Sequence, residues 1–356
     1  MTLRVVIATY DDAPPIGGQG RYVCGLRAAL RRRGVEVRTV AGHGEHALPV
    51  PAVTRRPPLD HSLALTRNPG PLVRDRPDAL HVMGGPGGVI IPRRLGVPVV
   101  YTAHHTYRQA YSLRSPRRVL SPLEGRSYRL ARRVLAVSPS TAAAVLRLGV
   151  APRRVEVLPP GIEVERFDRG EGARDPLAIL FVGRLEAEKR PLDAVAVMAG
   201  LAGRHPGVHG VLIGRGRLEA QVRRAAALAP AGAVEVRGAV SEEELERAYA
   251  EAAVLLVPSS YEGLGLVALE AMAAGVAVVA YDVGGLRDAV AGRGRLVADG
   301  DRDAMARACA ELLTDPSRRD EMGARAAAAV RGAHSWDAVA ARVEDVYAAL
   351  RSGEDQ

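Results

Sequence analysis

Short apolar runs alternate with segments of helical spacing along most of the chain. The first run, LRVVIAT at 3–9, is typical of a buried strand, and the segment 20–34 after it has helical spacing and ends at a glycine. Further apolar runs predict strands at 35–41, 78–83, 97–103, 134–137 and 155–158. Because such alternation builds parallel sheets covered by helices, we expect a doubly wound α/β fold. The Pro-, His- and Gly-rich segment 42–76 has no clear hydrophobic pattern, so we predict no secondary structure for it.

A polar segment interrupts the alternation near the middle of the chain. It begins at Pro159 and ends at Pro176, and the apolar run LAILFVG at 177–183 then opens a second series of strands and helices. We therefore predict a first domain at 1–160, a linker at 161–176 and a second domain at 177–335. Since ligands of doubly wound sheets bind beyond the carboxyl ends of the strands, we expect both domains to present loops to a shared cleft.

Two predicted helices in this pattern start at recognisable caps. Ser138 is followed by proline, which suits the first helical position, and Ser241 has Glu244 three residues later, the spacing of a capping box. From 302 to 352 the pattern is helical throughout. The chain is therefore expected to end in helices.

Composition places the chain among soluble globular proteins. Hydrophobic residues make up 47% and charged residues 25% of the 356 residues. No apolar stretch reaches the ~18 residues of a membrane span, and the N-terminus resembles a strand more than a signal peptide. We expect a cytoplasmic protein, with peripheral contact at the inner face of the membrane left open. Cys24 and Cys309 are expected to be small core residues, and they lack zinc-site spacing.

The net charge of +9 is unevenly distributed. Residues 1–160 carry 25 basic and 9 acidic side chains, whereas residues 161–356 carry 24 and 31. The basic first half indicates either an anionic partner, such as lipid headgroups, a phosphorylated acceptor or nucleic acid, or a solvated arginine-rich surface. Only 4% of the residues are aromatic, so stacking platforms for nucleic acid are scarce and this partner is disfavoured.

A glycine-rich turn, Gly17-Gly18-Gln19-Gly20, lies between the first predicted strand and helix. Glycines at this place let backbone N–H groups approach an anion at the positive end of a helix. The spacing is not that of a dinucleotide fingerprint, because Val23 occupies the third glycine position. An ordinary tight turn remains an equal alternative.

The segment FVGRLEAEKR at 181–190 ends the first strand of the second domain. Arg184 comes just after the strand, where ligand-binding loops lie. Lys189 is the only lysine of the chain. A compact ammonium suits a phosphate oxygen in a confined site, although chance retention is the alternative.

A second glycine-rich loop, in SSYEGLGLVALE at 259–270, follows a predicted strand and leads into a helix near Gly265. The first N–H groups of that helix could bind a diphosphate. Glu262 in the loop and Glu270 in the helix could accept hydrogen bonds from sugar and ribose hydroxyls. The apolar sequence around Glu270 indicates a specific partner for its carboxylate.

Two adjacent histidines follow the predicted strand 97–103. His104 or His105 could hydrogen-bond a sugar hydroxyl or a leaving phosphate, or could be ordinary loop residues. We find neither a spacing of His, Asp and Glu that indicates a metal site nor a GxSxG nucleophile motif.

Taken together, these segments resemble the retaining glycosyltransferases of family 4, which have the two-domain GT-B architecture. GGQGRY, VVYTAH, VLAVSPST, VEVLPPGIE, FVGRLEAEKR, IGRG and SSYEGLGLVALEAMAAGVAVVA occur in the family's order along nearly the whole chain. The resemblance implies two Rossmann-like domains that face a cleft. The first domain would bind the acceptor and the second the nucleotide-sugar donor. The closing HSW with Tyr347 implies that a last helix, at 336–356, crosses back to the first domain.

The resemblance also implies roles for single residues. Arg184 and Lys189 would bind the donor diphosphate and stabilise the departing nucleoside diphosphate. Glu270 would hold the ribose, and Glu262 would contact hydroxyls of the donor sugar. His104 would contact the sugar near the reaction centre. Backbone groups would complete the donor site, those of Gly265, Leu266 and Val267 at sugar or phosphate and those of Gly17 and Gly18 beside the phosphates or acceptor.

The family's reaction retains the anomeric configuration and usually needs no obligatory metal. In the usual account the leaving phosphate takes the acceptor's proton, so no residue is assigned as a nucleophile. The linker departs from the family pattern at Pro160 and Glu163, where asparagine and aspartate are common. The loop GGPGG at 84–88 is also unusual, and either shapes the acceptor pocket or is only a flexible turn.

The sequence therefore predicts a glycosyltransferase that moves a hexose of glucose, N-acetylglucosamine or mannose type to a hydroxyl. A UDP-sugar is the favoured donor and a GDP-sugar the second choice. The acceptor stays open among lipid-linked, phosphorylated and small natural-product molecules. The alternatives are a nucleotide-sugar epimerase or phosphorylase on the same fold, and a non-enzymatic two-domain binding protein. A nicotinamide oxidoreductase is disfavoured, because the dinucleotide fingerprint is absent.

Overall fold

The computed structural model describes residues 2–50, 53–54, 56–167 and 174–353, and the chain divides into two compact units. The first unit comprises Met1–Gly161 and His334–Gln356, and the second comprises Ile162–Ala333. Of the predicted linker at 161–176, residues 168–173 lie outside the described residues.

The first unit is built on a six-stranded parallel sheet with strand order β2-β1-β3-β4-β5-β6. Its strands are β1 (Arg4–Ala8), β2 (Glu36–Val40), β3 (Ala79–Gly84), β4 (Val99–Ala103), β5 (Arg133–Ala136) and β6 (Val155–Val157). Its helices up to this point are α1 (Gly18–Arg32), α2 (Pro57–Arg67), α3 (Gly70–Val73), α4 (Tyr107–Ala110), α5 (Ser121–Leu130) and α6 (Pro139–Leu146). Short 3₁₀ turns lie at Pro116–Leu120 and Pro152–Arg154. The predicted strands are thus confirmed to within two residues.

The second unit repeats this plan with strand order β12-β11-β10-β7-β8-β9, again all parallel. Its strands are β7 (Ala178–Val182), β8 (His209–Ile213), β9 (Val234–Gly238), β10 (Val254–Val257), β11 (Ala277–Tyr281) and β12 (Arg295–Val297). Its helices are α7 (Pro191–Ala202), α8 (Glu219–Ala227), α9 (Glu242–Glu251), α10 (Leu266–Ala273), α11 (Gly284–Val290), α12 (Arg302–Thr314) and α13 (Pro316–Ala333). Further 3₁₀ turns lie at Val164–Phe167 and Ala187–Lys189.

The last helix, α14 (Trp336–Ser352), belongs to the first unit and packs against α1. Its buried face joins Leu26 and Leu30 of α1 in one hydrophobic cluster through Val343 and Tyr347. Gly25 allows the close approach, because a Cβ at this position would lie 2.1 Å from the Trp336 ring. Burial of this apolar stripe is what holds the C-terminal helix on the first sheet.

The helix starts follow local sequence. Ser241 Oγ accepts a hydrogen bond from Glu244 N at 3.1 Å, and Glu244 Oε2 accepts one from Ser241 N at 2.8 Å, which confirms the capping box. Ser138 caps α6 without a reciprocal bond, because its Oγ accepts a hydrogen bond from Thr141 N at 3.1 Å. Helix α1 begins at Gly18, two residues earlier than the apolar pattern predicts, because helical spacing of apolar side chains cannot mark a first turn made of glycine and glutamine.

The two cysteines are unpaired thiols. Cys309 is fully buried in the second core, and Cys24 on α1 is half-buried. Burial raises the pKa of the Cys309 thiol, so this side chain behaves as a small apolar residue. Within the described ranges no helix is long and apolar enough to cross a bilayer.

Candidate active site

The carboxyl edge of the second sheet brings together the two loops singled out in the sequence. Strands β7 and β10 are parallel neighbours, so the loop after β7 (183–190) and the loop after β10 (258–265) leave the sheet side by side. The main chain joins them, because Ser260 donates from its N at 2.9 Å and from its Oγ at 3.2 Å to the Glu188 carbonyl oxygen. This edge is where ligands of parallel α/β sheets bind.

An ion pair between Lys189 and Glu262 occupies this edge. The Lys189 Nζ donates to Glu262 Oε1, and the Ser259 hydroxyl donates to the same oxygen at 3.0 Å. The two charged side chains are 20% and 12% exposed, so the pair is largely withdrawn from solvent. An ammonium has three N–H donors, and the single bond to Glu262 leaves donors for another acceptor. The only lysine of the chain is thereby fixed next to a predicted sugar-binding carboxylate.

Arg184 lies in the same loop as Lys189, but its side chain is more exposed to solvent. Its Nη2 donates to Glu188 Oε1 at 2.8 Å, and 59% of its side chain is exposed. An exposed ion pair of this kind contributes little to stability, since water competes for both partners. The guanidinium is therefore free to exchange its carboxylate partner for a ligand anion at small cost.

The helix after the second loop starts at Gly265, which has φ of +88°. A side chain here would be strained by that φ, and a Cβ would lie 2.6 Å from Leu286. The cap makes no side-chain hydrogen bond, so the first N–H groups of α10, those of Leu266 and Val267, lack the intrahelical acceptors that later residues have. Such a helix end attracts anions.

Glu270, one turn into α10, is buried with 6% of its surface exposed. Its Oε2 accepts a hydrogen bond from the Tyr249 hydroxyl at 2.8 Å. The specific partner that the apolar surroundings indicated is thus a tyrosine of α9. A role for Glu270 at a ribose stays a prediction.

The carboxyl edge of the first sheet is built differently. His104 follows β4, and its ring packs edge-on against Tyr22 of α1 at 4.9 Å between centroids. Behind it, Thr102 Oγ1 lies 2.7 Å from His81 Nε2 and 3.4 Å from the Tyr22 hydroxyl. His81 Nδ1 lies 2.5 Å from the Tyr347 hydroxyl of α14. The imidazole of His104 therefore packs against Tyr22, whose hydroxyl begins a polar network that ends at Tyr347 of the last helix.

Two of the three histidines at this edge, His81 and His104, are held in the neutral form at physiological pH. Burial lowers the pKa of His81 to about 3, and burial followed by the neighbouring His105 and His81 lowers the pKa of His104 to about 3. The Nε2 of His104 is withdrawn from solvent, and it has no hydrogen-bond partner among the residues that the structure describes. A neutral imidazole in this setting can donate or accept a hydrogen bond to a ligand but cannot supply a proton as an imidazolium.

The glycine-rich turn before α1 is held by an acidic side chain. The buried Asp11 carboxylate accepts hydrogen bonds from Ile16 N and Gly17 N, both at 3.0 Å. A Cβ at Gly20 would lie 2.4 Å from Asp11 Oδ2, which explains a glycine there. The N–H of Gly17 is thus used within the chain, and Gly18 is the exposed first residue of the helix. The predicted contacts of Gly17 and Gly18 with phosphates or acceptor stay predictions.

The GGPGG loop is a tight turn fixed by backbone hydrogen bonds. Val89 N donates to Met83 O at 2.7 Å, and Gly88 N donates to Gly85 O at 2.9 Å. Gly85 has φ of +97°, and a Cβ there would lie 2.5 Å from the His105 carbonyl oxygen. The loop therefore lies against the segment that carries His104.

Several residues that shape these edges have no role at a ligand site predicted from the sequence. Tyr249, Ser259, His81 and Tyr347 all contact a predicted site residue or its support. Ser259 alone could have been found, because it lies three residues before Glu262 in the same loop. In the described part of the chain no group of three His, Cys, Asp or Glu side chains could hold a metal ion.

Two family models match the chain. The model described as Glycosyltransferase Family 4 matches residues 16–166, and the model described as Glycosyl transferases group 1 matches residues 163–329. The chain is 33% identical to the D-inositol 3-phosphate glycosyltransferase of Streptosporangium roseum, with 77% of this chain and 69% of the relative covered. It is 31% identical to the enzyme of the same name from Acidothermus cellulolyticus, with 93% and 85% covered.

Solved structures share the fold over nearly the full length. Sucrose-phosphate synthase of Thermosynechococcus elongatus superposes with a TM-score of 0.81 at 23% identity, covering 99% of this chain and 100% of that one. HepE of Anabaena, solved in complex with UDP-glucose, superposes with a TM-score of 0.75 at 16% identity, covering 98% and 100%. At these identities the likeness shows the fold alone.

Proposed function

Because the chain belongs to the family 4 glycosyltransferases and has the GT-B fold, we propose that it transfers a hexosyl group from a nucleotide-diphosphate sugar to an acceptor hydroxyl with retention of configuration. The observation that carries this proposal is the carboxyl edge of the second sheet. There Lys189 and Glu262 form an ion pair that is largely shielded from solvent. It lies in the loops beside the start of α10, where Gly265 provides no side-chain cap. Cation, carboxylate and helix end match the phosphates and hydroxyls of a nucleotide sugar.

In the proposed donor site Lys189 and Arg184 bind the diphosphate, with the N–H groups of Gly265, Leu266 and Val267 at phosphate or sugar. Glu270 accepts from the ribose hydroxyls and Glu262 from the sugar hydroxyls. Charge grows on the diphosphate as the glycosidic bond breaks. Fixed cations at that point stabilise the transition state more than the ground state, which is the requirement for catalysis.

His104 acts in this scheme as a neutral hydrogen-bonding group. Its lowered pKa means that it cannot protonate a leaving group at physiological pH. The leaving phosphate takes the acceptor's proton, and His104 orients a sugar hydroxyl near the reaction centre. The packing of its ring on Tyr22 holds the imidazole in place for this contact.

For the donor we favour a UDP-sugar over a GDP-sugar. HepE, which shares the fold, is described in complex with UDP-glucose, and this supports the choice of uridine. For the acceptor we favour a phosphorylated polyol, because relatives more than 30% identical are described as D-inositol 3-phosphate glycosyltransferases. The excess of arginine in the first half of the sequence suits an anionic acceptor.

A transfer assay tests the proposal. UDP-glucose, UDP-N-acetylglucosamine and GDP-mannose are each incubated with the protein and either inositol 3-phosphate or unphosphorylated inositol, and nucleotide release and product anomer are measured. We expect one UDP-sugar to give a product with retained configuration on the phosphorylated acceptor alone. Epimerised donor, sugar 1-phosphate formed with added phosphate, or no turnover of any donor would each contradict transfer as the function.

A further inference from the structure

An arginine-lined cavity lies at the amino-terminal edge of the first sheet. Its volume is about 480 Å³, and it is bordered by the residues that precede β4, β5 and β6 and by the last turn of α5. The basic residues lining it are Arg93, Arg94, Arg129, Arg132 and Arg154. We call this the arginine cavity. The lining that the structure describes contains no Asp or Glu.

The arginine cavity is separate from the edge that carries His104. The cavity lies where β4 begins, at Val99, and His104 follows its last residue. The five residues of β4 span about 16 Å at ~3.3 Å per residue. A ligand in the cavity would therefore meet a different face of the first unit from a ligand at His104.

Three of the five cavity guanidinium groups are held by backbone carbonyls, which do not neutralise them. Arg93 Nη1 donates to Thr66 O at 2.9 Å, Arg129 Nη1 donates to Leu148 O at 2.5 Å, and Arg154 Nη1 donates to Arg129 O at 3.1 Å. All of these acceptors are backbone carbonyls, which fix a direction but carry no formal charge. Each guanidinium has five N–H donors, so most of the donors remain available.

Several arginines elsewhere in the chain pair with carboxylates. Arg184, Arg190, Arg217 and Arg287 each contact a carboxylate at 2.5 to 2.8 Å. None of the five cavity arginines forms an ion pair with a carboxylate in the described ranges. Like charges around one cavity repel one another, and a bound anion relieves that repulsion.

We propose that the arginine cavity binds a phosphate-bearing ligand at a site distinct from the proposed donor site. The planar guanidinium fork matches two phosphate oxygens at once, and the three guanidinium groups that are bonded to backbone carbonyls lose little entropy on binding. A cavity of this volume is in the range of small-ligand sites and has room for more than one phosphate group. The ligand is either a soluble phosphorylated molecule or the phosphate headgroup of a lipid. This inference does not depend on the proposed transfer reaction.

The test compares two double variants that remove the same charge. Arg94→Ala/Arg132→Ala empties the cavity of two side chains that make no hydrogen bond or ion pair to any described residue, so the fold keeps its contacts. Arg224→Ala/Arg307→Ala removes two exposed arginines of the second unit as the control. Inorganic pyrophosphate is titrated calorimetrically into wild type and both variants. Co-sedimentation is measured with phosphatidylcholine vesicles that contain or lack phosphatidic acid.

We expect pyrophosphate to bind the cavity variant at least about tenfold more weakly than the control variant, since two charge-assisted contacts are lost. Loss confined to pyrophosphate supports a soluble ligand, and loss of phosphatidic acid binding supports a lipid headgroup. Pyrophosphate at the donor site does not affect the comparison, because that site is intact in both variants. Equal binding of both probes by the cavity and control variants, or binding of neither probe by wild type, would overturn the proposal.

Discussion

The carboxyl edges of the two sheets have the same topology but present different groups near their candidate site residues. In the second unit, Lys189 pairs with Glu262 and Arg184 pairs with Glu188, so each cation of the donor-site loops contacts a carboxylate. In the first unit, burial lowers the pKa values of His81 and His104 to about 3, and the charged groups nearby, Arg27 and Asp12, pair with each other at 2.6 Å. Parallel α/β packing brings loops to both edges, but the side chains on those loops differ in charge and in the hydrogen bonds that they can make.

The difference shows how an α/β edge can be specialised without changing its fold. An ion pair with one carboxylate holds a cation in position until an anionic ligand replaces the carboxylate. This arrangement suits the binding of a diphosphate. A neutral imidazole on a buried network offers directional hydrogen bonds without charge, which suits sugar hydroxyls.

The largest effect is expected from Lys189→Ala. Removing the ammonium deletes a contact that strengthens as charge develops on the diphosphate, so kcat/KM should fall on the order of a hundredfold or more. The control is Arg307→Ala, an exposed arginine of α12, which should change kcat/KM less than twofold. A Lys189→Ala rate within a few-fold of wild type would remove Lys189 from the donor site.

The second effect concerns the pH dependence of stability that His81 of the first unit contributes. The folded state holds the His81 pKa near 3, below its value of ~6.5 in the unfolded chain, so the unfolded state binds more protons between these values. Stability should therefore fall as pH is lowered from 6.5 towards 3, with His81 contributing a slope of about 1.4 kcal/mol per pH unit.

Urea unfolding of wild type and His81→Gln at pH 6.5, 5.5 and 4.5 measures this slope. The variant should be less stable at pH 6.5 and should lose stability less steeply on acidification. His205→Gln, which changes a partly exposed histidine of the second unit, serves as the control and should keep the wild-type slope. Parallel pH profiles for His81→Gln and wild type would show that His81 is not buried as a neutral group.

The smallest effect is expected from Tyr249→Phe. This change removes the 2.8 Å hydrogen bond to the Glu270 carboxylate and leaves the packing of the ring against Phe167. A lost bond of this kind costs about 1.5 kcal/mol, so KM for the donor should rise roughly tenfold or less while kcat changes little. Tyr281→Phe, which removes a hydrogen bond to Asp193 away from Glu270, is the matched control. A fall in kcat alone would place Glu270 elsewhere in the reaction.

Local pattern predicts much of this molecule. Apolar runs predict the strands, Ser241 and Ser138 predict helix starts, and the glycine before Leu266 predicts the start of α10. The contacts that define the two edges join residues far apart in sequence. His81 and Tyr347 are separated by 266 positions, and Lys189 and Glu262 by 73.

Such contacts depend on which helix packs on which sheet, and this packing cannot be predicted from any single segment of the sequence. The charged pair could be anticipated from the two motifs that carry it, because both motifs follow strands. The network of His81, Thr102 and Tyr347 could not, since each residue alone is typical of a buried core position. The hydrogen bond from Gly17 N to the Asp11 carboxylate could not be predicted from the sequence either, because it depends on the path of the turn between β1 and α1.

The central claim, that the charged edge binds the donor diphosphate through Lys189, is tested most directly by calorimetric titration of UDP and UMP into wild type and Lys189→Ala without added metal. We expect wild type to bind UDP clearly more tightly than UMP, and Lys189→Ala to lose most of that difference while still binding UMP. Equal affinities of wild type for UDP and UMP, or a preference for UDP that survives in Lys189→Ala, would contradict the account.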